Sequence, residues 1–256
     1  MTERIKNRHI VITGASSGIG RATAMRLADA GANLHLIARR EEELQAVVEA
    51  IRMRGGQAEY SVLDLSDATA VDDWLQQWKD RGAVCDVLVN NAGRSIRRGI
   101  RESLQRMHDF ERCMQLNYFA AVRLSLGLLP GMLERKSGHL VNISTWGTLM
   151  PAPRFAAYAA SKSALDAFSH SVGSELRHAG VAVTTVHFPI VKTPMIAPTK
   201  VYARLPGLSP EQAASWIEKA IRKRPARIAP PYATLFGLQH TFLPRLTQRV
   251  ADLAKL

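Results

Sequence analysis

Three side chains in one stretch of this sequence could carry a proton transfer: Ser144, Tyr158 and Lys162, within Asn142 to Phe168. Tyr158 and Lys162 stand four residues apart, so on a helix they share a face about one turn from each other. A tyrosine in water titrates near ~10 and is a poor acid or base at neutral pH unless a nearby positive charge favours the phenolate. Lys162 can supply that charge. Ser144 ends the apolar, strand-like run Gly138 to Ile143, and could hydrogen-bond a carbonyl oxygen while Tyr158 hands that oxygen a proton. Taken alone, Tyr158 and Lys162 are also an ordinary helical i,i+4 pair, and the N-terminal stretch separates the two readings.

There, the β-type run His9 to Thr13 leads directly into Gly14-Ala15-Ser16-Ser17-Gly18-Ile19-Gly20, and Arg21 to Ala28 reads as a helix closed by Gly31. Glycines in such a turn let the backbone approach a pyrophosphate, and the N–H groups and positive dipole end of the new helix favour the anion. The next strand, Asn33 to Ala38, ends in Arg39-Arg40, where a site for NAD would place an acid on the ribose 2′-hydroxyl. Arg39, with Arg40, can instead pair with a 2′-phosphate through fork-shaped hydrogen bonds, which favours NADPH/NADP+. One of the two arginines also reads as a solvated residue opening the helix Glu41 to Arg54.

The alternation continues: Glu59 to Leu63 as strand, Asp67 to Arg81 as helix, and Asp86 to Val89 as a short buried strand before Asn90-Asn91-Ala92-Gly93. Units of this kind predict an α/β fold, a doubly wound parallel sheet with helices on both faces. Ligands of such sheets sit at the carboxyl ends of the strands, where Gly14, Arg39, Asp64, Asn91 and Ser144 all fall.

The composition agrees. A chain of 256 residues with 46% hydrophobic content can bury one substantial core and needs no second domain. The first residues are charged and lead into one short strand rather than an apolar signal, so the expected location is the cytoplasm. Cys85 and Cys113 are too few for a disulfide framework or a zinc site, and no metal is expected.

Thr13 to Gly20, Asp64-Leu65, Asn90 to Gly93, Asn117, Ser144, Tyr158 and Lys162 together resemble, in order and spacing, the short-chain dehydrogenase/reductase family. The resemblance covers roughly residues 7 to 196 and implies a Rossmann-type core over residues 1–195, with residues 196–256 as substrate loop and tail of the same domain. By that resemblance Tyr158 is the general acid/base, Ser144 orients the substrate oxygen, and Lys162 binds the nicotinamide ribose and lowers the tyrosine pKa. Asn117 holds the water of a proton relay. Gly14, Ser16, Ser17, Gly18, Ile19 and Gly20 hold the pyrophosphate, Asp64 and Leu65 flank the adenine, and Asn91, Ala92 and Gly93 line the cofactor beyond it. Pro189, Val191 and Thr193 are assigned to the nicotinamide, although Phe188-Pro189 stand where the family commonly has Pro-Gly, so that loop is expected to differ.

Asn91 to Arg98, Met114 to Phe119 and Thr193 to Lys200 look more specific, resembling the reductase domain of bacterial fatty acyl-CoA reductases. The expected substrate is therefore a long-chain acyl thioester, with Arg94, Arg97, Arg98 and Arg101 available to coenzyme A phosphates or an acyl-carrier protein. A reductase of ketones or aldehydes (3-oxoacyl, retinoid or steroid) stays open, as does a non-catalytic NADP-binding module. Residues 196–256 hold ten Lys/Arg against three Asp/Glu, a large part of the net charge of +12. Ser209-Pro210-Glu211 predicts a capped helix to about Lys223, and Tyr232 to Leu256 an amphipathic stretch broken at Pro244. That stretch reads as packing on its own domain or a partner subunit, or as peripheral membrane contact. No nucleic-acid motif accompanies the charge, and the helices Asp109 to Leu129 and Phe155 to Arg177 resemble the family's usual dimer-forming pair, which implies a homodimer or homotetramer.

Overall fold

The short β-branched and leucine-rich runs form seven strands: β1 (His9–Thr13), β2 (Asn33–Ala38), β3 (Gln57–Val62), β4 (Val87–Asn90), β5 (Gly138–Thr145), β6 (Val181–Phe188) and β7 (Arg227–Ile228). They make one parallel sheet in the order β3-β2-β1-β4-β5-β6-β7. Parallel neighbours need crossover helices, and these are α1 (Gly18–Asp29), α2 (Glu41–Met53), α3 (Ala68–Asp80), α4 (Met107–Met114), α5 (Ala120–Glu134), α6 (Ala156–Glu175) and α7 (Pro210–Lys223). A further helix, α8 (Pro231–Phe242), follows β7. This computed structural model describes residues 5–197, 199 and 205–243, the side chains of residues 238, 240 and 241 excepted. The C-terminal residues 244–256 of the expected amphipathic stretch lie outside the described residues.

The expected Rossmann-type sheet with helices on both faces is what the chain forms. Strand alternation divides the core in two. Ile10, Ile12, Leu36, Val87 and Val89 face α1, α2 and α7, whereas Val11, Ile37, Leu88 and Leu140 face α3 and α5. Each fully buried Ile or Leu contributes about 1.5–3 kcal/mol relative to exposure. Trp74 and Trp78 of α3 enclose His35 of β2, whose imidazole is held down to about pKa 4 chiefly by burial.

Two boundaries differ from expectation. The helix expected over Asp109 to Leu129 is interrupted by a wide π-turn at Gln115–Phe119 and then runs through Pro130 to Glu134. Leu128 and Met132, buried on either side of the proline, anchor both halves, so packing outweighs a break worth about 3 kcal/mol. The strand expected from Glu59 begins at Gln57, because its pairing with β2 starts at Asn33. The helix expected after Ser209 forms with a full capping box: Gln212 N–H donates to Ser209 Oγ at 3.2 Å and the Ser209 N–H to Gln212 Oε1 at 2.8 Å.

Candidate active site

β1 and β4 are neighbours where the strand order turns back, and their carboxyl ends open a crevice. Gly14 leaves β1 at φ +67, and a Cβ there would fall 2.9 Å from Ala92 Cα. Gly20 is equally confined: its Cβ would overlap the Gly14 carbonyl oxygen and lie 2.7 Å from Asn91 Nδ2. Thr13 Oγ1 accepts from the N–H groups of Asn91 (3.0 Å) and Ala92 (2.9 Å), while Asn91 Nδ2 donates to Thr13 O at 2.8 Å. The ends of β1 and β4 are thereby locked together. Ser17 makes no side-chain cap on α1, and no acid stands in the first turn, so nothing of the chain's own competes with an anion there. A backbone cradle that β-carbons would fill fits the pyrophosphate of a nicotinamide dinucleotide.

A cleft of about 420 Å³ runs from this turn over the sheet ends. Of the sequence-assigned site residues, all but two line it; Gly20 and Asn117 stand behind its wall. At the β2 end, Arg40 donates to Ser16 Oγ at 3.1 Å and pairs with Glu43 at 2.8 Å. Among the described residues Arg39 pairs with the carboxylate of Asp64, at 3.8 Å, and an exposed pair at that distance leaves its guanidinium available. Leu65 is buried beside Asp64, whose Oδ1 accepts from the Ser66 N–H at 2.9 Å.

At the other end of the cleft Tyr158 and Lys162 project from α6, as their spacing predicts. The Lys162 ammonium is 3% exposed and donates to Ile143 O at 2.7 Å. Burial pushes this amine down to about 8 against a favourable charge from Asp166. Burial pushes the Tyr158 phenol up to about 12, against a hydrogen bond with the Thr145 side chain. Tyr158 is therefore a neutral phenol at physiological pH.

The hydroxyl beside that phenol belongs to Thr145, which the sequence reading passed over. Ser144 is 2% exposed, and its Oγ is buried without a hydrogen-bond partner among the described residues. Period-two alternation was the available signal. Leu140, Asn142 and Ser144 share the sheet face that α5 and α6 cover, leaving Thr145 as the first position beyond the buried run. The same face holds a further network the sequence reading missed: Asn90 Nδ2 donates to Asn142 Oδ1 at 2.8 Å and to Ser125 Oγ at 3.1 Å, and Asn142 Nδ2 to Ser169 Oγ at 2.8 Å.

Asn117 lies in the π-turn with its side chain fully committed. Its Oδ1 accepts from the Arg94 N–H at 2.7 Å, and its Nδ2 donates to Arg94 O at 2.9 Å and to Ser161 Oγ at 2.8 Å. It clamps the Asn91–Arg94 loop to α6. A Cβ on Gly93 would come within 3.2 Å of Asn117 Oδ1 and 3.5 Å of Lys162 Nζ.

The loop without the usual Pro-Gly is shaped by its neighbours. Phe188 is buried against Trp216 of α7 at a ring distance of 5.8 Å, and Val191 bridges to Leu208. Thr193 closes over the glycine turn, so that a Cβ on Gly18 would lie 3.1 Å from its Cγ2. Within the arginine cluster, Arg98 is not available to a substrate: it and Arg106 bind the buried carboxylate of Asp109, at 3.1 and 2.7 Å. Arg97 and Arg101 are exposed, and no ion pair is found for either among the described residues.

Comparison with known proteins agrees with this geometry. The short chain dehydrogenase family model matches residues 8–201. The chain is 51% identical over 242 residues to a fatty acyl-CoA reductase of Acinetobacter baylyi, covering 94% of this chain and 82% of that protein. Among solved structures, a short-chain dehydrogenase from Streptomyces avermitilis superposes with a TM-score of 0.81 at 31% identity, over 98% of both chains. A metagenomic short-chain oxidoreductase in complex with NADP superposes with a TM-score of 0.75 at 30% identity, over 89% of this chain and 98% of that one. With the glycine turn, the β1–β4 crevice and the Tyr158–Lys162 pair in place, this chain belongs to the short-chain dehydrogenase/reductase family and is an oxidoreductase.

Proposed function

We propose that the chain reduces long-chain fatty acyl-CoA to the fatty aldehyde with NADPH. The observation that carries the substrate is the 51% identity, over 94% of the chain, to a protein named a fatty acyl-CoA reductase. The preference for NADPH rests on Arg39 and Arg40 at the end of β2, where no acid stands to hold a 2′-hydroxyl. A bound nicotinamide dinucleotide supplies the hydride. Gly14 and Ser16 to Gly20 would hold its pyrophosphate, Asp64 and Leu65 its adenine, Asn91 to Gly93 the stretch beyond, and Pro189, Val191 and Thr193 its nicotinamide. Lys162 would bind the nicotinamide ribose.

The remaining chemistry is the chain's own. Thr145 would hold the thioester oxygen, with Tyr158 beside it as hydrogen-bond donor while the carbonyl carbon becomes tetrahedral. Collapse of the resulting hemithioacetal breaks the C–S bond and releases the aldehyde; the thiolate leaves as coenzyme A after taking up a proton, and one NADPH is oxidised per thioester. The Thr145–Tyr158 hydrogen bond supports Thr145 in the role that the family resemblance gives Ser144. Thr145→Ala is expected to lower kcat/KM by roughly 10²-fold, as loss of an oxyanion donor does. Thr145→Ser should keep most activity, and Ser144→Ala should change it less than about threefold, because that hydroxyl is buried and makes no hydrogen bond among the described residues. The opposite ranking in steady-state assays returns the role to Ser144.

The finer assignments follow from the same reading. Residues 1–195 would carry cofactor and catalysis, and residues 196–256 would cover the substrate. Exposed Arg97 and Arg101 would meet coenzyme A phosphates. Phe119, Leu126 and Leu133, exposed at seven-residue spacing across the π-turn and α5, support a homodimer through α5 and α6. Tyr232, Leu235, Phe242 and Leu243, exposed on one side of α8 and its end, support peripheral membrane contact beside the basic tail. The buried free thiols Cys85 and Cys113 support a cytoplasmic setting. Sedimentation of the chain, alone and with anionic vesicles, tests the two contacts; a monomer that ignores vesicles contradicts both.

Turnover of a long-chain acyl-CoA, the matching aldehyde and a secondary alcohol, each with both nicotinamide cofactors, tests the function. NADPH-linked turnover of acyl-CoA is expected. Turnover restricted to the aldehyde or the alcohol makes the chain a carbonyl reductase of the same family.

A further inference from the structure

Beneath the Tyr158–Lys162 pair lies a half-buried acid that the proposed chemistry does not use. Asp166 follows Lys162 by four residues and Tyr158 by eight, so the three side chains share one face of α6. Its Oδ2 lies 3.0 Å from Nε2 of His187, a β6 residue 3% exposed and paired in register with Ser144 of β5. Among the described residues, Asp166 Oδ1, His187 Nδ1 and Ser144 Oγ are buried polar atoms without a hydrogen-bond partner. We infer that Asp166, held by His187, is a positioning residue that supplies the counter-charge for the Lys162 ammonium and so sets the pH range over which the Tyr158–Lys162 pair works.

The argument starts from the cost of burying an ammonium. The ammonium of Lys162 donates to a neutral carbonyl, Ile143 O, and no carboxylate lies within ion-pair distance of it among the described residues. A full negative charge one helical turn away is the remaining means of keeping it protonated, and Asp166 acts electrostatically on both Lys162 and Tyr158. Among the described residues, the other elements around α6 offer no competing charge. From α4, Cys113 faces the pair as a thiol pushed up to about 11 by burial, and Asp109 is taken by Arg98 and Arg106. From α5, Arg123 turns to Asp72 of α3. On α6 itself His170 is exposed, and from β6 His187 Nε2 donates to Asp166 Oδ2, its Nδ1 having no partner among the described residues. The plain alternative is a stitch between α6 and β6, which would affect stability but not the pH profile.

The inference rests on Tyr158 as proton donor, so both are measured together. Asp166→Asn keeps the shape and removes the charge; Asp166→Leu removes the charge with an apolar side chain and guards against a variant that does not fold. Lys162 then loses at lower pH the proton with which it would bind the nicotinamide ribose. The alkaline limb of kcat/KM should move down by about one pH unit, with activity at pH ~8.5 falling about tenfold and that at pH ~6.5 changing less than about twofold. Asp166→Glu should restore the limb. A limb that stays in place, or a loss by the same factor at every pH, overturns the inference while leaving the proton-donor assignment intact. Substantial activity in Tyr158→Phe, run alongside, removes that assignment instead.

Discussion

Tyr158→Phe is expected to lower kcat by roughly 10²–10⁴-fold, the contribution of a positioned general acid, while NADPH binds within about threefold of its normal affinity. The separation follows from what each atom touches. The phenol oxygen meets Thr145 at the mouth of the catalytic end, whereas the ring packs near Phe155 at 6.2 Å and persists in the variant. The cradle for the pyrophosphate, at Gly14 to Gly20, shares no contact with that oxygen. Fluorescence titration of NADPH together with single-turnover oxidation separates the two effects. A variant that binds poorly, or that turns over normally, contradicts the assignment of the proton to Tyr158.

Gly20→Ala is expected to abolish measurable cofactor binding at micromolar NADPH and to destabilise the fold by about 1–3 kcal/mol. One added methyl would press on the Gly14 carbonyl oxygen and lie 2.7 Å from Asn91 Nδ2. Neither neighbour can yield cheaply. Gly14 is fixed by its N–H bond to Ile37 O at 2.7 Å, and Asn91 Nδ2 by its bond to Thr13 O at 2.8 Å. The change therefore opens the joint between β1, β4 and α1, where the anion would sit. Gly99→Ala is the matched control, because a Cβ there meets only Glu102 at 3.8 Å. Thermal melts and NADPH titrations of both variants give the comparison, and a Gly20→Ala protein that binds like the control rules out the close packing as the cradle's requirement.

Much of this was legible before any coordinates. Local signals that act over a few residues carried the fold: β-branched runs, glycine turns and the i,i+4 spacing of Tyr158 and Lys162 all led to the elements they suggest. What escaped depends on residues distant in sequence. Thr145 rather than Ser144 reaches the phenol because α6 covers one face of β5, which buries the serine. Arg98 reads as a free cation until the fold brings it to Asp109. Spacing along a helix fixes the face but not where an ammonium points, and that of Lys162 donates to Ile143 O. Proline at 130 predicts a helix end, yet core contacts at Leu128 and Met132 carry the helix past it.

The central claim is a hydride-linked cleavage of a thioester, and its most direct measurement is the ratio of free thiol released to NADPH oxidised when the purified chain meets a long-chain acyl-CoA. The account predicts one thiol per NADPH consumed in forming the aldehyde, with NADH a much poorer donor, and neither signal in Tyr158→Phe. NADPH oxidation with the aldehyde alone, and no thiol from acyl-CoA, would contradict it.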